Sequence, residues 1–194
     1  QIPDEQVTEI GLAADVFNGG INTQNNVKLN INANSGAWTG SSAPVSIASL
    51  DTANIELTTF YTPPATPGNI SISRTITADS TDDIPANNAM TNIDFSVTDF
   101  IYARDNGTAT NGSFNGGMGF EVGNIFDIFS NVSIGGGSVY INGAAEPGAE
   151  IYLKLYSIDP ATGDFLYVDE TGPYVLQNAD LDAEVTLSFL GGSY

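Results

Sequence analysis

Carboxylate and amide side chains are concentrated in one short stretch of the sequence, where they could bind calcium. Ca²⁺ takes about six to eight oxygen ligands from carboxylates, amides and backbone carbonyls. No D-x-D-x-D-G loop is present, and Asp and Asn are also common turn formers, so a calcium site and an ordinary polar turn are both open here. The stretch at residues 78–90 reads ADSTDDIPANNAM, and its candidate ligands are Asp79, Asp82, Asp83, Asn87 and Asn88.

A second, sparser set of oxygen ligands follows at Asp99, Asp105 and Asn106. These residues lie near the predicted junction of two domains, described below, where a bound ion could hold the domains together. Calcium is the only cofactor that the sequence suggests.

Three aromatic side chains are candidates for ligand binding. Trp38, the only Trp, lies in a Gly/Ser-rich segment, and Tyr152 and Tyr156 share one face of a predicted strand with Lys154. Aromatic rings serve in recognition, but they also fill protein cores. Trp38 is therefore either part of a sugar-binding surface or a core residue. The Tyr-Lys-Tyr face is either a partner-binding patch or a second buried face.

The residue types that most enzymes use are missing. The sequence has no His and no Cys, which removes the commonest general base, the commonest transition-metal ligand, thiolate sites and disulfides. It contains no G-x-S-x-G, P-loop or G-x-G-x-x-G motif, and no spacing that singles out a pair of catalytic carboxylates. The sequence therefore predicts a protein that is not an enzyme.

The charge of the chain is strongly negative. Its 194 residues include 4 Lys and Arg against 23 Asp and Glu, for a formal net charge of −19. This argues against a nucleic-acid partner, because phosphate binding relies on Lys and Arg, and no apolar run approaches the roughly 18 residues of a membrane span. An acidic chain without Cys fits an extracellular or outer-surface protein. The start at Gln1 and the linker-like GGSY end suggest an excised piece of a longer chain.

Apolar and polar residues alternate along most of the chain, which predicts β-strands, as at residues 25–34. The longest such run is Thr91–Gly107, whose alternation slips by one residue near Phe100. We interpret the slip as the point where the last strand of one sandwich continues into the first strand of another. The sequence predicts an all-β protein with two consecutive antiparallel β-sandwiches, immunoglobulin-like over residues 1–104 and jelly-roll-like over residues 105–194.

The second half contains the clearest hairpin of the sequence. Residues 150–158 (EIYLKLYSI) alternate as a strand. The following DPATGD reads as a type I turn with Gly163 in the left-handed region, which joins this strand to residues 165–169. The run of three Gly at residues 135–137 indicates a bulge or close backbone packing. Asn124–Ser130 (NIFDIFS) is the one stretch that we expect to form a helical turn.

Two parts of the sequence resemble known extracellular modules. TDDIPANNAMTNIDFSVTD resembles the last loop and strand of the CARDB-type adhesion-like sandwich. The continuation, with GFEVGNIFDIF and GAEIYLKLYSIDPATGDFLYVDET, is similar to modules of large secreted or cell-surface proteins of Flavobacteria-like bacteria, which are typically cargo of the type IX secretion system. The resemblance implies spacer or adhesive modules beside other domains of a parent protein.

Two tripeptides suggest modification. Asp51-Thr52-Ala53 and Asp79-Ser80-Thr81 match the tripeptide D-[S/T]-[small or β-branched residue] that is O-glycosylated in exported proteins of Bacteroidota. Both lie in predicted turns, where Thr52 and Ser80 could carry a glycan.

Three functions remain open from the sequence. The leading hypothesis is a non-enzymatic structural or adhesive module whose partners are other domains of the parent chain, neighbouring copies or extracellular glycans. The second is a carbohydrate-binding module of a secreted hydrolase. The third is a subunit of an extracellular filament, in which residues 1–11 or the C-terminal GGSY pairs with a neighbour's sheet edge.

Overall fold

The computed structural model describes residues 1–105 and 119–191. Their regular secondary structure consists of β-strands and short 3-10 helices, so the predicted all-β class is confirmed. Within these ranges we find no helix with the length and apolar character of a membrane span. The chain divides into two compact units: unit 1 is Gln1–Asn106 with Phe126–Ser130, and unit 2 is Gly107–Ile125 with Asn131–Tyr194.

Unit 1 is built mainly from one large sheet. Its strands are β1 (Ile2–Pro3), β2 (Ala13–Phe17), β3 (Gln24–Ala33), β4 (Trp38–Ser41), β5 (Val45–Ile47), β6 (Thr52–Glu56), β7 (Gly68–Thr77) and β8 (Ile93–Thr98), and its 3-10 helices are Asp4–Gln6, Asn34–Gly36 and Pro85–Asn88. The large sheet has the order β1-β8-β7-β3-β4, with β5 also paired to β3, while β2 and β6 form a separate two-stranded sheet. All described pairs are antiparallel except β1 with β8.

β3 is central in unit 1, with paired strands along both of its edges. Every second side chain from Val27 to Ala33 is buried, and the side chains between them point away from the core. β7 lies on one side of β3, and β4 and β5 lie on the other. The strand predicted at residues 25–34 is confirmed.

The two sheets of unit 1 enclose a single hydrophobic core. Leu29 of β3 and Ile72 of β7 belong to the same buried cluster as Ala14 of β2 and Ile55 of β6. Each sheet removes the apolar face of the other from water, so the hydrophobic effect holds the two layers together. Unit 1 is therefore a β-sandwich, as predicted.

The long strand predicted over Thr91–Gly107 ends early. Of its described residues, 91–105, only those of β8 form a regular strand, and residues 106–107 lie outside the described ranges. Beyond β8 the hydroxyl oxygen of Thr98 accepts a hydrogen bond from the backbone N–H of Ile101 (3.0 Å), which turns the chain. The backbone N–H of Ala103 then donates to the carbonyl of Gln1 (3.2 Å). The prediction of one strand shared by two sandwiches is wrong, because the slip in alternation marks a turn.

The helical turn predicted at Asn124–Ser130 is also wrong. The Gln6 side-chain oxygen accepts a hydrogen bond from the backbone N–H of Phe129 (2.7 Å), and its amide nitrogen donates to the Ser130 hydroxyl (2.7 Å). Gln6 is buried, so these bonds satisfy an amide that would otherwise be costly to bury. The segment therefore bonds to the Gln6 side chain and has no helical structure.

The same segment changes the division of the chain. The Phe126 ring contacts the Tyr102 ring, with centroids 5.5 Å apart, inside unit 1. Phe126–Ser130 therefore belongs to unit 1, whereas the predicted ranges 1–104 and 105–194 placed it in the second domain.

The described part of unit 2 contains three short ladders. Its strands are β9 (Gly136–Ile141), β10 (Glu150–Ile151), β11 (Lys154–Ile158), β12 (Phe165–Glu170), β13 (Tyr174–Val175) and β14 (Ala183–Ser188), and its 3-10 helix is Asn178–Asp180. The two-stranded ladders are β9 with β14, β10 with β13, and β11 with β12, all antiparallel.

The described part of unit 2 has a small hydrophobic core. Its buried cluster consists of Ile141, Leu176, Val185 and Leu187. Gly136 faces the opposite strand so closely that an added Cβ would lie 2.1 Å from the Leu187 carbonyl oxygen. The predicted close backbone packing at the Gly run is thus confirmed. The all-β fold stands, while the finer jelly-roll arrangement of this half stays a prediction.

Candidate binding surfaces

The β11–β12 hairpin of unit 2 is organised by its turn. The Asp159 carboxylate accepts a hydrogen bond from the backbone N–H of Ala161 (2.8 Å), and the Asp159 N–H donates to the carbonyl of Asp164 (2.9 Å). Gly163 has a φ of 78° and donates to the Asp159 carbonyl (2.8 Å). This left-handed conformation favours Gly, so the turn predicted from DPATGD is confirmed.

The two strands of the hairpin expose aromatic rings on one face. Tyr156 is opposite Tyr167, and Ile158 is opposite Phe165, so the four side chains lie on the same side of the ladder. The Tyr156 ring is roughly perpendicular to Phe165, with centroids 6.2 Å apart, and to Tyr167, at 6.1 Å. Phe165 and Tyr167 are 62% and 57% exposed. We call these four side chains the aromatic face.

Charged side chains lie beside the aromatic face. Lys154 is opposite Glu170 and forms an ion pair with Glu121, whose hydrogen bond raises the pKa of Lys154. The Tyr152 hydroxyl donates to Glu150 (3.2 Å), and the negative charge of Glu150 raises the pKa of Tyr152. The one cation of this surface is thus already paired, and carboxylates dominate its electrostatics.

The composition of unit 2 as a whole is also strongly acidic. Its two ranges contain five Asp and five Glu, and Lys154 is their one basic residue. Such a field attracts cations and repels anions, most strongly at low ionic strength.

A second candidate surface is a shallow depression on the outer face of the large sheet of unit 1. It has a volume of about 450 Å³ and is lined by uncharged residues of β3, β4 and β7. We call it the polar depression. Within the described residues, the side chains of Asn32, Thr39 and Thr75 that line it have no hydrogen-bond partner, whereas the Ser41 hydroxyl donates to Asn30 (2.9 Å). Unused amide and hydroxyl groups could bind a neutral saccharide.

The predicted calcium ligands of residues 78–90 lie in the loop after β7 and in the 3-10 helix Pro85–Asn88. No group of three or more His, Cys, Asp or Glu that could hold a metal occurs among residues 1–105 and 119–191. Asp79 accepts a hydrogen bond from the Asn26 amide, and Asp82 accepts one from the backbone N–H of Ile84 (2.8 Å). The other predicted ligands of this loop, which are exposed or half-buried, are Asp83, Asn87 and Asn88.

The second predicted set of calcium ligands is only partly described. Asp99 lies in a bend after β8 and is exposed, as is Asp105, while Asn106 lies outside the described residues. Calcium binding at either set stays a prediction.

Trp38 is directed toward the core of unit 1. Its ring centroid lies 5.1 Å from that of buried Tyr61, and it packs against the buried cluster. An added Cβ on Gly40 would lie 2.6 Å from the Trp38 ring, so the ring covers this Gly on the inner side of β4. Of its two predicted roles, the structure favours core packing, and Trp38 does not line the polar depression.

The two predicted glycosylation residues are accessible but differ in setting. Thr52 is exposed at the start of β6, opposite Phe17 of β2. The turn predicted at Asp51-Thr52-Ala53 is therefore wrong, because β6 is already paired with β2 at Thr52. Ser80 is exposed in the loop after β7. Modification of either residue stays a prediction.

The N-terminal segment that could have donated a strand to a neighbouring copy is paired within unit 1. β1 pairs with β8, and Ile10 forms a bridge with Tyr61. The C-terminal residues 192–194 lie outside the described residues.

Sequence reasoning identified Tyr152 and Tyr156 but missed Ile158, Phe165 and Tyr167. The signal was present, since counting back from the predicted turn places residue 165 opposite residue 158. The polar depression was missed because outward-facing Asn, Ser and Thr side chains are found on any sheet face that is exposed to solvent, so they do not single out a binding site.

Comparisons with known proteins give little further information. No family model and no curated protein sequence matches the chain. One solved structure, SSP-19, an MSP-domain protein like family member in Caenorhabditis elegans, shares 13% identity, covers 50% of this chain and 91% of its own, and has a TM-score of 0.23. At that TM-score the likeness supports no argument about fold or function.

Proposed function

We propose that the chain is a non-enzymatic adhesive module of an extracellular protein and that unit 2 makes the adhesive contact through the aromatic face. The observation that carries the proposal is the exposure of Tyr156, Ile158, Phe165 and Tyr167 on one side of a hairpin. A contiguous apolar patch exposed to water commonly marks an interaction site. Aromatic residues also contribute strongly to binding energy at interfaces.

Unit 1 has a different role in this proposal. Its buried apolar cluster joins the two sheets into a two-layer core, which suits a structural support or spacer. The resemblance of residues 81–99 to the CARDB-type adhesion-like sandwich supports the same division of roles.

The proposal is tested by adhesion of beads that carry the intact chain to glycan-coated, protein-coated and mineral surfaces. The double variant Phe165→Ser/Tyr167→Ser should reduce adhesion about tenfold or more, because it removes two interface aromatics. The matched control is Phe17→Ser in unit 1, since Phe17 is 61% exposed and thus about as accessible as Phe165. This control should adhere like the unchanged chain.

Three results would overturn the proposal. The first is equal adhesion of the double variant and the Phe17→Ser control. The second is turnover of a polysaccharide or peptide by the intact chain. The third is adhesion to glycans that Asn32→Ala reduces and the double variant does not, which would assign binding to the polar depression.

A further inference from the structure

We propose that the ligand of the aromatic face is an arginine-rich segment of a partner protein. This inference rests on the proposed function, because it names the chemistry of the partner for the same surface. It follows from the charge around the face and from the arrangement of its rings.

The charge around the face selects a cation. Unit 2 has one basic residue, Lys154, and this residue is paired with Glu121. Partial desolvation and, next, the charges of Glu170 and Asp169 raise the pKa of Tyr167, while the charge of Lys154 lowers it less strongly, so the carboxylates outweigh the one cation at this ring. An incoming Lys or Arg meets complementary charge here, whereas a second copy of the chain, with a net charge of −19, meets repulsion.

The arrangement of the rings also favours a cation over a saccharide. Tyr156 makes interplanar angles of 73° with Phe165 and 80° with Tyr167. The rings therefore form walls of different orientation rather than the flat platform on which a sugar ring stacks. Cations are attracted to the faces of aromatic rings.

Arginine fits this surface better than lysine. Its planar guanidinium stacks on aromatic faces and donates paired hydrogen bonds to carboxylates, whereas the Lys ammonium is a strongly hydrated point charge. Tyr167 and Glu170 offer a ring and a carboxylate on the same strand, β12. An arginine-rich extended segment can use both types of contact at once.

The experiment measures fluorescence anisotropy of labelled peptides that alternate Ser with Arg, Lys or Glu, titrated with the intact chain. The Arg peptide should bind more tightly than the Lys peptide, and the Glu peptide should not bind. Raising the salt concentration from about 0.05 M to about 0.5 M should weaken binding, because screening shortens the range of the attraction.

Matched variants separate a specific site from general attraction to an acidic protein. Tyr167→Ala should weaken Arg-peptide binding about two- to fivefold, the loss expected for one exposed cation–π contact, and Phe17→Ala should leave it unchanged. Glu170→Gln should weaken binding more than Glu9→Gln, which removes the same charge from an exposed position of unit 1.

The inference is overturned if the Arg and Glu peptides bind alike. It is also overturned if the variants of each pair lose affinity equally, or if the face binds neutral oligosaccharides in a Tyr167-dependent way and ignores the Arg peptide. If bead adhesion depends on the aromatic face while no Arg peptide binds, only the choice of ligand fails. If neither adhesion nor peptide binding depends on the face, the proposed function fails with it.

Discussion

The large sheet of unit 1 and the hairpin of unit 2 each contain a strand whose side chains alternate between two faces, but the two strands are buried to different extents. In β3 the apolar side chains from Val27 to Ala33 all lie on one face, whereas in β11 the face of Tyr156 and Ile158 also carries Lys154, and the opposite face carries Leu155. In β3 the apolar side is buried, because strands flank it on both edges and the β2–β6 sheet covers it. Within the described residues β11 pairs with β12 alone, and its Tyr156 and Ile158 are exposed. Alternation therefore predicts which side chains share a face, while the neighbouring strands decide whether that face is a core or a surface.

This contrast predicts the largest effect at the core of unit 1. Ile72 is 0% exposed, so Ile72→Ala should lower the free energy of unfolding of unit 1 by about 2–5 kcal/mol, through lost burial and the cavity left behind. Urea unfolding followed by Trp38 fluorescence measures it, because the single Trp reports on the unit 1 core.

The matched substitution in the hairpin is Ile158→Ala. Ile158 is exposed, so this change should cost less than about 0.5 kcal/mol, measured by hydrogen exchange of peptides that contain β11 and β12. If Ile158→Ala destabilises its unit as much as Ile72→Ala does, then the aromatic face is packed and the contrast between the two regions is wrong.

Much of the fold was predictable from local signals. β3 follows from alternation, and the β11–β12 turn follows from Asp159 and Gly163, because both depend on residues close together in sequence. The hydrogen bond between the Gln6 amide and the Ser130 hydroxyl was not predictable, because no local sequence pattern pairs residues so far apart in the chain. The end of β8 was missed for a different reason: a Thr hydroxyl that closes a turn looks like any other polar strand residue.

The candidate site was predictable in part. The position of Tyr156 on its strand follows from the sequence pattern. The pairing of Tyr167 with it follows from the register that the turn imposes on the hairpin. The exposure of both could not be predicted, because it depends on which distant parts of the chain pack against the hairpin, and a local pattern does not specify these. For Trp38 it was the burial that the sequence left open. The ring lies in a Gly/Ser-rich segment, yet it packs inward against Gly40.

A loss of stability of intermediate size is expected from substitutions in the β9–β14 ladder of unit 2, where the two backbones lie close together. Gly136→Ala would place a Cβ 2.1 Å from the Leu187 carbonyl oxygen, which must move and strain the β9–β14 ladder. We expect a loss of about 1–3 kcal/mol. At Gly137, where the nearest atom is a Leu153 side-chain carbon at 3.2 Å, the same substitution should cost less, because that side chain can rotate.

Hydrogen exchange of peptides that contain β14 tests this pair. Gly136→Ala should reduce their protection more than Gly137→Ala does. Equal protection in the two variants would mean that the ladder is loose, and the small core of unit 2 would then be weaker than its buried residues suggest.

The smallest effect is expected from a hydrogen bond that supports unit 2 beside its core. The Tyr174 hydroxyl donates to Asp180 (3.0 Å), and this bond raises the pKa of Tyr174 above 10.0. The folded chain therefore holds the phenolic proton more tightly than the unfolded chain, so the contribution is fully present below pH 10 and is lost as pH rises through the raised pKa.

Tyr174→Phe removes the hydroxyl and keeps the ring. The variant should be slightly less stable at neutral pH and should lose less stability than the unchanged chain when the pH is raised past 10, as measured by thermal unfolding of both chains across that range. If the variant and the unchanged chain follow the same pH curve, the bond to Asp180 contributes nothing to the stability of unit 2.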